Sequence, residues 1–231
     1  MNDECFALEV LVLERRTALL LGASGLVGGE LLKLLLQSDL YRQVTIFVRT
    51  PLPLEHEKLQ QVVADFARLE SYERYFSVDD VFCCLGTTRK KAKTKQQFIQ
   101  VDYEYTLRAA ALAEKCRVKS FLTISSIGAN PCSPFFYQRV KGETEEALQR
   151  LSIPSLHIFR PSLLVGKRRE FRLGEALAGW LLCRLPFLFV GKWKKYKPVD
   201  ASQLALAMFY RAASAADGIH IYECDELARI S

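Results

Sequence analysis

A glycine-rich segment constrains the fold of this chain more than any other feature: Gly22-Ala23-Ser24-Gly25-Leu26-Val27-Gly28. It directly follows the short apolar run Thr17–Leu21 and directly precedes a stretch with the apolar spacing of a helix. This context predicts a strand, a tight turn and a helix whose free backbone N–H groups face a phosphate. Gly22 permits the turn, Gly25 lets the backbone approach the phosphate, and Gly28 lets the helix pack closely on the strand.

The segment also predicts which groups contact a bound pyrophosphate. The hydroxyl of Ser24 is a further donor beside the backbone N–H groups. The residues that we expect to bind a dinucleotide here are Gly22, Ser24, Gly25, Leu26, Val27 and Gly28.

Further apolar runs alternate with longer segments of helical spacing, which indicates buried parallel strands joined by helices. Because such crossovers are right-handed, the sequence predicts an α/β fold with a doubly wound parallel sheet. A chain of 231 residues is expected to form one domain, 1–231. The predicted strands are Thr17–Leu21, Val44–Val48, Val81–Leu85, Phe121–Ile124 and Leu156–Phe159, with a short one at 62–64; helices are predicted after Gly25, at 94–115 and at 135–151, and Phe6–Leu13 fits a helix or an edge strand.

The pattern changes in the C-terminal third of the chain. Leu173–Val190 is rich in Leu, Phe and Trp but is interrupted by Arg184 and Pro186. We predict a small C-terminal lid over a substrate pocket, at about 167–198. The alternative is that this apolar segment, flanked by lysines, contacts a membrane surface.

The residue after the second predicted strand indicates which dinucleotide would bind. An NAD-binding unit places an acid there to hydrogen-bond the ribose hydroxyls, whereas this chain has Arg49. A guanidinium attracts a 2′-phosphate, so the sequence favours NADP over NAD. Asp65 follows the short run 62–64 at the end of a strand of the predicted sheet. In that topology its carboxylate would accept a hydrogen bond from the adenine amino group.

Two other loops are predicted at the carboxyl edge of the sheet. Cys84-Leu85-Gly86-Thr87-Thr88 ends one strand, and there Leu85 and Gly86 would lie beside the cofactor ribose. Arg160-Pro161-Ser162-Leu163 follows the last predicted strand, and Leu163 would flank the nicotinamide.

Tyr137 and Lys141 predict carbonyl chemistry. Their spacing of four residues puts a phenol and an ammonium on one helix face, where the cation favours the phenolate. Tyr137 would then exchange a proton with a carbonyl oxygen, and Lys141 would also hold the nicotinamide ribose. Ser126, and after it Ser125, would polarise the carbonyl; the alternative is a surface Tyr–Lys pair beside a strand that ends in small polar residues.

Charge and cysteine content limit the classes of partner and compartment. The net charge of +6 suits a phosphate-bearing ligand, but the basic run at 89–95 has no interleaved aromatics, so no nucleic acid is expected. Seven scattered cysteines match neither a disulfide framework nor a zinc site. The N-terminus is acidic where a secretory signal is basic, and we expect a cytoplasmic protein.

Together these residues resemble the atypical short-chain dehydrogenase/reductases, specifically the Tat-interacting-protein-like oxidoreductases and their bacterial relatives. The likeness runs through most of the chain and rests on an ordered set of motifs. The resemblance implies a Rossmann fold, bound NADPH, Tyr137 as proton donor or acceptor and Lys141 as its partner. The motifs are Leu21–Gly25, Cys83–Arg89, Val101–Tyr103, Ser125-Ser126, Tyr137–Glu143 and Phe159–Pro161.

Two functions from different classes follow from these patterns. The first is an NADPH-dependent reductase of an apolar carbonyl compound. The second is a regulator that binds NADPH without consuming it and presents a surface to a protein partner.

Overall fold

The computed structural model describes residues 15–88, 92–166, 198–214 and 216–227. Their main element is a seven-stranded sheet, with a separate two-stranded ladder beside it. The strands are β1 (Arg16–Leu21), β2 (Tyr41–Val48), β3 (Leu59–Val63), β4 (Asp80–Cys83), β5 (Ser120–Ile124), β6 (Ser155–Arg160), β7 (Leu164–Val165), β8 (Val199–Asp200) and β9 (Gly218–Glu223).

Helices connect the strands of the sheet. A 3-10 helix (Phe66–Phe76) precedes β4, and a π turn (Gln100–Glu104) joins two α-helices. The α-helices are α1 (Leu26–Gln37), α2 (Lys95–Ile99), α3 (Tyr105–Lys115), α4 (Phe136–Leu148), α5 (Ala201–Ala213) and α6 (Cys224–Leu227).

The order of the large sheet is β3-β2-β1-β4-β5-β6-β9, and every pairing is parallel. The chain winds outward from β1 in one direction and from β4 in the other. This is the doubly wound Rossmann topology that the glycine segment and the strand–helix alternation predict. In such sheets, ligands bind at the carboxyl edge, where the winding reverses.

Two hydrophobic clusters cover the two faces of the sheet. On one face, α1 and α5 pack over β1 and β2 through side chains such as Leu31, Leu35 and Met208. On the other face, α3 and the 3-10 helix pack through side chains such as Phe76 and Ala109. The strands are buried from both sides, which explains why they appear in the sequence as short, nearly continuous apolar runs.

The structure corrects three details of the predicted elements. The strand predicted at Val81–Leu85 ends at Cys83, so Cys84 and Leu85 already belong to the following loop. The helix predicted at 94–115 is interrupted by the π turn. The short run predicted at 62–64 is the end of a longer strand, β3.

Other predictions cannot be compared with the structure. Phe6–Leu13 and Leu173–Val190 lie outside the described residues, as does the predicted lid at 167–198 except for Pro198. Of the basic run at 89–95, residues 89–91 also lie outside them. Among the described residues, Cys83, Cys84, Cys116 and Cys132 are free thiols. No helix within the described ranges is long and apolar enough to cross a membrane.

The amino edge of the sheet holds a buried carboxylate. Asp80 accepts hydrogen bonds from the Tyr41 hydroxyl (2.8 Å) and the Ser120 hydroxyl (2.6 Å), and Arg16 lies 3.4 Å away. An open cavity of about 230 Å³ is lined by Arg16, Asp80 and Ser120 of this network. Because the Asp80 oxygens are satisfied within the protein, the network stabilises the packing of β1, β2, β4 and β5.

Candidate cofactor and active site

The carboxyl ends of β1 and β4 meet at the point where the winding of the sheet reverses. β1 and β4 are paired so that Leu21 lies opposite Cys83. The glycine segment follows β1, and the loop Cys84–Thr88 follows β4. The crevice expected for a dinucleotide is therefore formed by two of the loops that the sequence singles out.

The glycine segment forms a tight turn that opens α1. Gly22 has φ +86°, a conformation that side chains disfavour, and a Cβ there would lie 2.5 Å from the Cys84 carbonyl oxygen. A Cβ at Gly28 would overlap the Gly22 carbonyl group. Both glycines are therefore required by close backbone packing, as predicted for Gly22 and Gly28.

The N-terminus of α1 has free donors. Gly25 is its N-cap and supplies no side-chain hydrogen bond, and the first helical bond runs from Gly29 N to Gly25 O at 2.9 Å. The N–H groups of Leu26, Val27 and Gly28 precede that bond, so the helix itself does not satisfy them. They are available to an anion, and the exposed Ser24 lies next to them.

Arg49 and Asp65 follow neighbouring strands at the same edge. Arg49 is exposed and comes directly after β2, in which Phe47 pairs with Leu21 of β1. Asp65 comes after β3 and caps the 3-10 helix by accepting from Ala67 N at 3.0 Å. Arg49 therefore lies beside the glycine segment, whereas one carboxylate oxygen of Asp65 is already used inside the protein.

The loop after β6 reaches the same place from the other side. A Cβ at Gly166 would lie 3.0 Å from Leu26 Cδ1, so this loop contacts the start of α1. Leu163, which accepts a hydrogen bond from Val199 N through its carbonyl, has a side chain 39% exposed. Ile127 N also donates to Pro161 O (2.9 Å), which ties this loop to the one after β5.

Ser125 and Ser126 directly follow β5 and have unsatisfied hydroxyl groups. Both residues are buried, at 7% and 8% exposure, and neither Oγ has a hydrogen-bond partner in the part of the chain that the structure describes. A buried hydroxyl without a partner is costly and therefore calls for an explanation. A bound ligand at the carboxyl edge would supply the missing partners.

Tyr137 and Lys141 lie on the first turns of α4. Lys141 is buried, and its Nζ donates to the carbonyl oxygen of Ile124 (3.1 Å), the residue just before the two serines. The Tyr137 ring is half-buried and packs on Phe98, with 5.3 Å between the ring centroids. The structure thus brings the predicted Lys141 next to the predicted serines.

Sequence reasoning missed one residue of this group, Asp102. Its carboxylate is completely buried, with Oδ1 2.8 Å from Lys141 Nζ and Oδ2 accepting from Thr87 N (2.9 Å). Burial by itself would lower the pKa of Lys141, but the charge of Asp102, with a smaller contribution from Tyr137, holds that pKa above its ordinary value. The hydrophobic pattern gives no signal for Asp102, because an acid within a helical pattern usually lies on a solvated face. The motif Val101-Asp102-Tyr103 enters the sequence analysis only through the family resemblance.

These features fit a dinucleotide. The uncapped start of α1 suits a pyrophosphate, and the unpartnered Ser125 and Ser126 hydroxyls mark a buried polar position near Lys141. The predicted roles of the other site residues, including Asp65, Leu85, Gly86 and Leu163, stay predictions, although each lies at the carboxyl edge.

Comparison with protein families and sequences gives matches along most of the chain. A family model described as NAD(P)H-binding matches residues 22–155. Protein HTATIP2 of Rattus norvegicus is 38% identical over 210 residues, which are 89% of this chain and 85% of the rat protein. "Protein FMP52, mitochondrial" of Debaryomyces hansenii is 34% identical over 157 residues, or 67% of this chain and 69% of the yeast protein.

Solved structures share the fold at low sequence identity. MoeE5 in complex with UDP-glucose and NAD superposes with a TM-score of 0.67 at 15% identity, covering 92% of this chain and 80% of MoeE5. The Bordetella bronchiseptica enzyme WbmH in complex with NAD⁺ gives a TM-score of 0.68 at 16% identity, covering 90% of this chain and 76% of WbmH. At this level of identity, the likeness concerns the Rossmann fold.

Proposed function

This chain belongs to the NAD(P)H-binding family that includes HTATIP2, and we propose that it is an NADPH-dependent reductase of an apolar carbonyl compound. The observation that carries the proposal is the meeting of three features at one edge of the sheet. They are the uncapped start of α1, the buried Lys141 and the two unpartnered serine hydroxyls. A protein that binds the cofactor without a reaction needs the start of α1 and a lysine for the ribose, but it does not need the two serine hydroxyls.

The proposed mechanism assigns one role to each side chain. NADPH, when bound, would supply the hydride that adds to the carbonyl carbon. The Tyr137 hydroxyl donates its proton to the carbonyl oxygen, so that an alcohol results. Ser126, with Ser125 as the second choice, donates a hydrogen bond that polarises the carbonyl, and Lys141 holds the nicotinamide ribose and favours the phenolate left on Tyr137.

Arg49 supports a preference for NADPH over NADH. It is exposed directly after β2, and within the described residues it forms no ion pair that would occupy its guanidinium. An arginine at this place offers paired donors and a fixed positive charge to a 2′-phosphate.

The surface near the site supports an apolar substrate. Phe135, just before α4, is 69% exposed, and Leu163 is 39% exposed. Large apolar side chains at the mouth of a polar site are typical of pockets for apolar ligands. The predicted lid at about 167–198, rich in Leu, Phe and Trp, would complete such a pocket.

Calorimetric titration of the nucleotide-free protein with NADPH and with NADH tests the cofactor assignment. We expect NADPH to bind more tightly, and Arg49→Ala to weaken NADPH binding by about tenfold while leaving NADH binding nearly unchanged. Arg42→Ala is the matched control, because Arg42 is an exposed arginine at the opposite end of the same strand. Equal binding of both nucleotides by the wild type would contradict the preference.

Replacement of Tyr137 by Phe tests the reaction. This change removes one hydroxyl and leaves the ring packed on Phe98, so NADPH affinity should stay within about twofold of wild type. Reduction of a carbonyl substrate found by screening should fall by at least about 100-fold. A Tyr137→Phe variant that is as active as wild type would refute the catalytic role.

The compartment is also part of the proposal. We keep the cytoplasm as the expected location, and the FMP52 relatives of yeasts, which are called mitochondrial, supply the alternative. Cell fractionation with antibody detection distinguishes the two.

A further inference from the structure

Asp102 connects two parts of the site that are far apart in sequence. Its Oδ2 accepts from Thr87 N in the loop after β4, and its Oδ1 lies 2.8 Å from Lys141 Nζ on α4. The loop lines the crevice expected for the cofactor, and the lysine belongs to the proposed proton-transfer pair. One carboxylate therefore fixes both the cofactor side and the catalytic side of the site.

The position of Asp102 depends on an irregularity of its helix. It lies in the π turn that separates α2 from α3. A single π turn adds a residue to the helix and rotates the face that follows, and such turns are frequent at functional sites. The Thr144 hydroxyl of α4 packs against this turn: it lies 3.3 Å from the Asp102 carbonyl oxygen, and its shorter bond, of 2.8 Å, goes to the Val140 carbonyl of its own helix.

Lys141 needs a countercharge because it is buried. An ammonium in a dry environment loses its proton readily unless an opposite charge is close. The groups that face Lys141 are Asp102 from the π turn, Tyr137 from its own helix, the Cys83 thiol from β4 and the Ile124 carbonyl from β5. Burial raises the pKa of Cys83, so that thiol stays neutral. Asp102 is therefore the carboxylate that balances the lysine.

We propose that Asp102 is a positioning residue: it keeps Lys141 charged and fixes its position relative to the loop Cys84–Thr88. One side chain then supports both cofactor binding and proton transfer. This inference rests on the proposed function for its catalytic consequence. The ion pair itself is independent of any cofactor. Asp102 does not touch the reacting atoms and acts through Lys141.

The variant Asp102→Asn separates charge from shape. The amide has the size of the carboxylate, but it has one acceptor oxygen, which cannot serve both Lys141 and Thr87 N. The buried lysine then lacks a countercharge, and its pKa should fall. Thr144→Val is the matched control, because it alters a buried side chain 3.3 Å from the Asp102 backbone, nearly preserves its shape and leaves the carboxylate in place.

The first experiment follows the charge of Lys141 directly. Protein labelled with ¹³C at lysine Cε is titrated by NMR, with the Lys141 signal assigned by its loss in Lys141→Arg. In the wild type we expect this signal to titrate at a pH no lower than that of an ordinary lysine, and in Asp102→Asn at a lower pH than in the wild type. A wild-type Lys141 that titrates at lower pH than an ordinary lysine would overturn the proposal, even if the variant fails to fold.

The second experiment measures the consequence for the cofactor. Between pH 7 and pH 9, we expect the Kd for NADPH to rise more steeply in Asp102→Asn than in wild type or Thr144→Val, because only Asp102→Asn leaves the Lys141 charge without a carboxylate beside it. A pH-independent Kd in Asp102→Asn overturns the role of Asp102 toward the cofactor. If wild type binds no NADPH, the proposed function fails, and the NMR titration still decides whether Asp102 holds the lysine charged.

Discussion

His157 on β6 is completely buried, and both of its ring nitrogens have hydrogen-bond partners. The Tyr222 hydroxyl lies 2.9 Å from Nδ1, and the Ser155 Oγ lies 2.8 Å from Nε2. Because the Ser155 hydroxyl donates to the Ala216 carbonyl oxygen (2.6 Å), its oxygen is free to accept from Nε2–H, and Tyr222 then donates to Nδ1. This assignment satisfies every group only when the imidazole is neutral.

At the residue scale, His157 makes folding stability depend on pH. Burial, with the nearby charges of His220 and Arg211, lowers the pKa of His157 to about 4, whereas in the unfolded chain it is about 6.5. The unfolded state therefore takes up the proton first as the pH falls. The stability that the neutral His157 provides is complete above about pH 6.5 and is lost between about pH 6.5 and 4, on the order of 2 kcal/mol.

Urea unfolding at several pH values measures this contribution. We expect His157→Gln to be less stable than wild type at neutral pH but to lose less stability on acidification. His56→Gln is the matched control, since His56 is exposed in the loop between β2 and β3. If His157→Gln lost stability on acidification as steeply as the wild type, the assignment of the pH dependence to His157 would be wrong.

At the scale of elements, the sequence predicts best where local pattern and tertiary packing agree. The helix after Gly25 begins at Leu26 as predicted, because its apolar face matches the sheet that it covers. The π turn around Asp102 could not be predicted, because the contact of Asp102 with Lys141 joins two helices that are far apart in the sequence. The sequence analysis does not predict β9, because the polar side chains of His220 and Tyr222 interrupt its apolar pattern; in the fold both rings stack beside His157 of β6.

One glycine sets how closely α4 approaches the loop before it. A Cβ at Gly142, next to Lys141, would overlap the backbone of Asn130 and Pro131. We expect Gly142→Ala to cost about 1–2 kcal/mol, since overpacking outweighs the higher helix propensity of alanine. NADPH affinity should also fall, because the helix that carries Lys141 would move away from β5.

Gly29→Ala is the matched control for this prediction. A Cβ at Gly29 of α1 would be 3.5 Å from the Ala23 carbonyl oxygen, which is ordinary contact. This variant should be as stable as wild type or more stable by up to about 1 kcal/mol. Thermal unfolding of both variants checks the pair, and equal stability of Gly142→Ala and Gly29→Ala would show that α4 is not held by its glycine.

At the scale of the whole molecule, the sequence predicts the doubly wound sheet correctly, and the residues that it predicts for the site lie at the carboxyl edge of that sheet. Short buried runs and one glycine segment suffice to predict the sheet, because few strand orders are compatible with right-handed crossovers. The countercharge of Lys141 depends on contacts between distant segments, and these leave no periodic pattern in the sequence.

Ligand binding to the folded chain should raise its stability as a whole. At about 100 times its Kd, NADPH should stabilise the fold by about 2.7 kcal/mol. For a domain of this size that corresponds to a rise in Tm of roughly 5–10 °C. Differential scanning fluorimetry with NADPH, and with NADH at the same concentration as control, measures the effect. Equal shifts with both nucleotides would argue against the 2′-phosphate contact.

The parallel pairing of all seven strands also has a kinetic consequence. No two neighbouring strands of the sheet are joined by a hairpin, and β6 pairs with β9 across the interval from Ser155 to Gly218. Every pairing must therefore close a long loop before it gains any contact, which makes folding slow for a chain of this size. The edge strand β9 is joined to β6 by the Tyr222–His157 hydrogen bond and by Arg160, 3.6 Å from Glu223. These contacts therefore join two strands, β6 and β9, that are far apart in the sequence and pair late in folding.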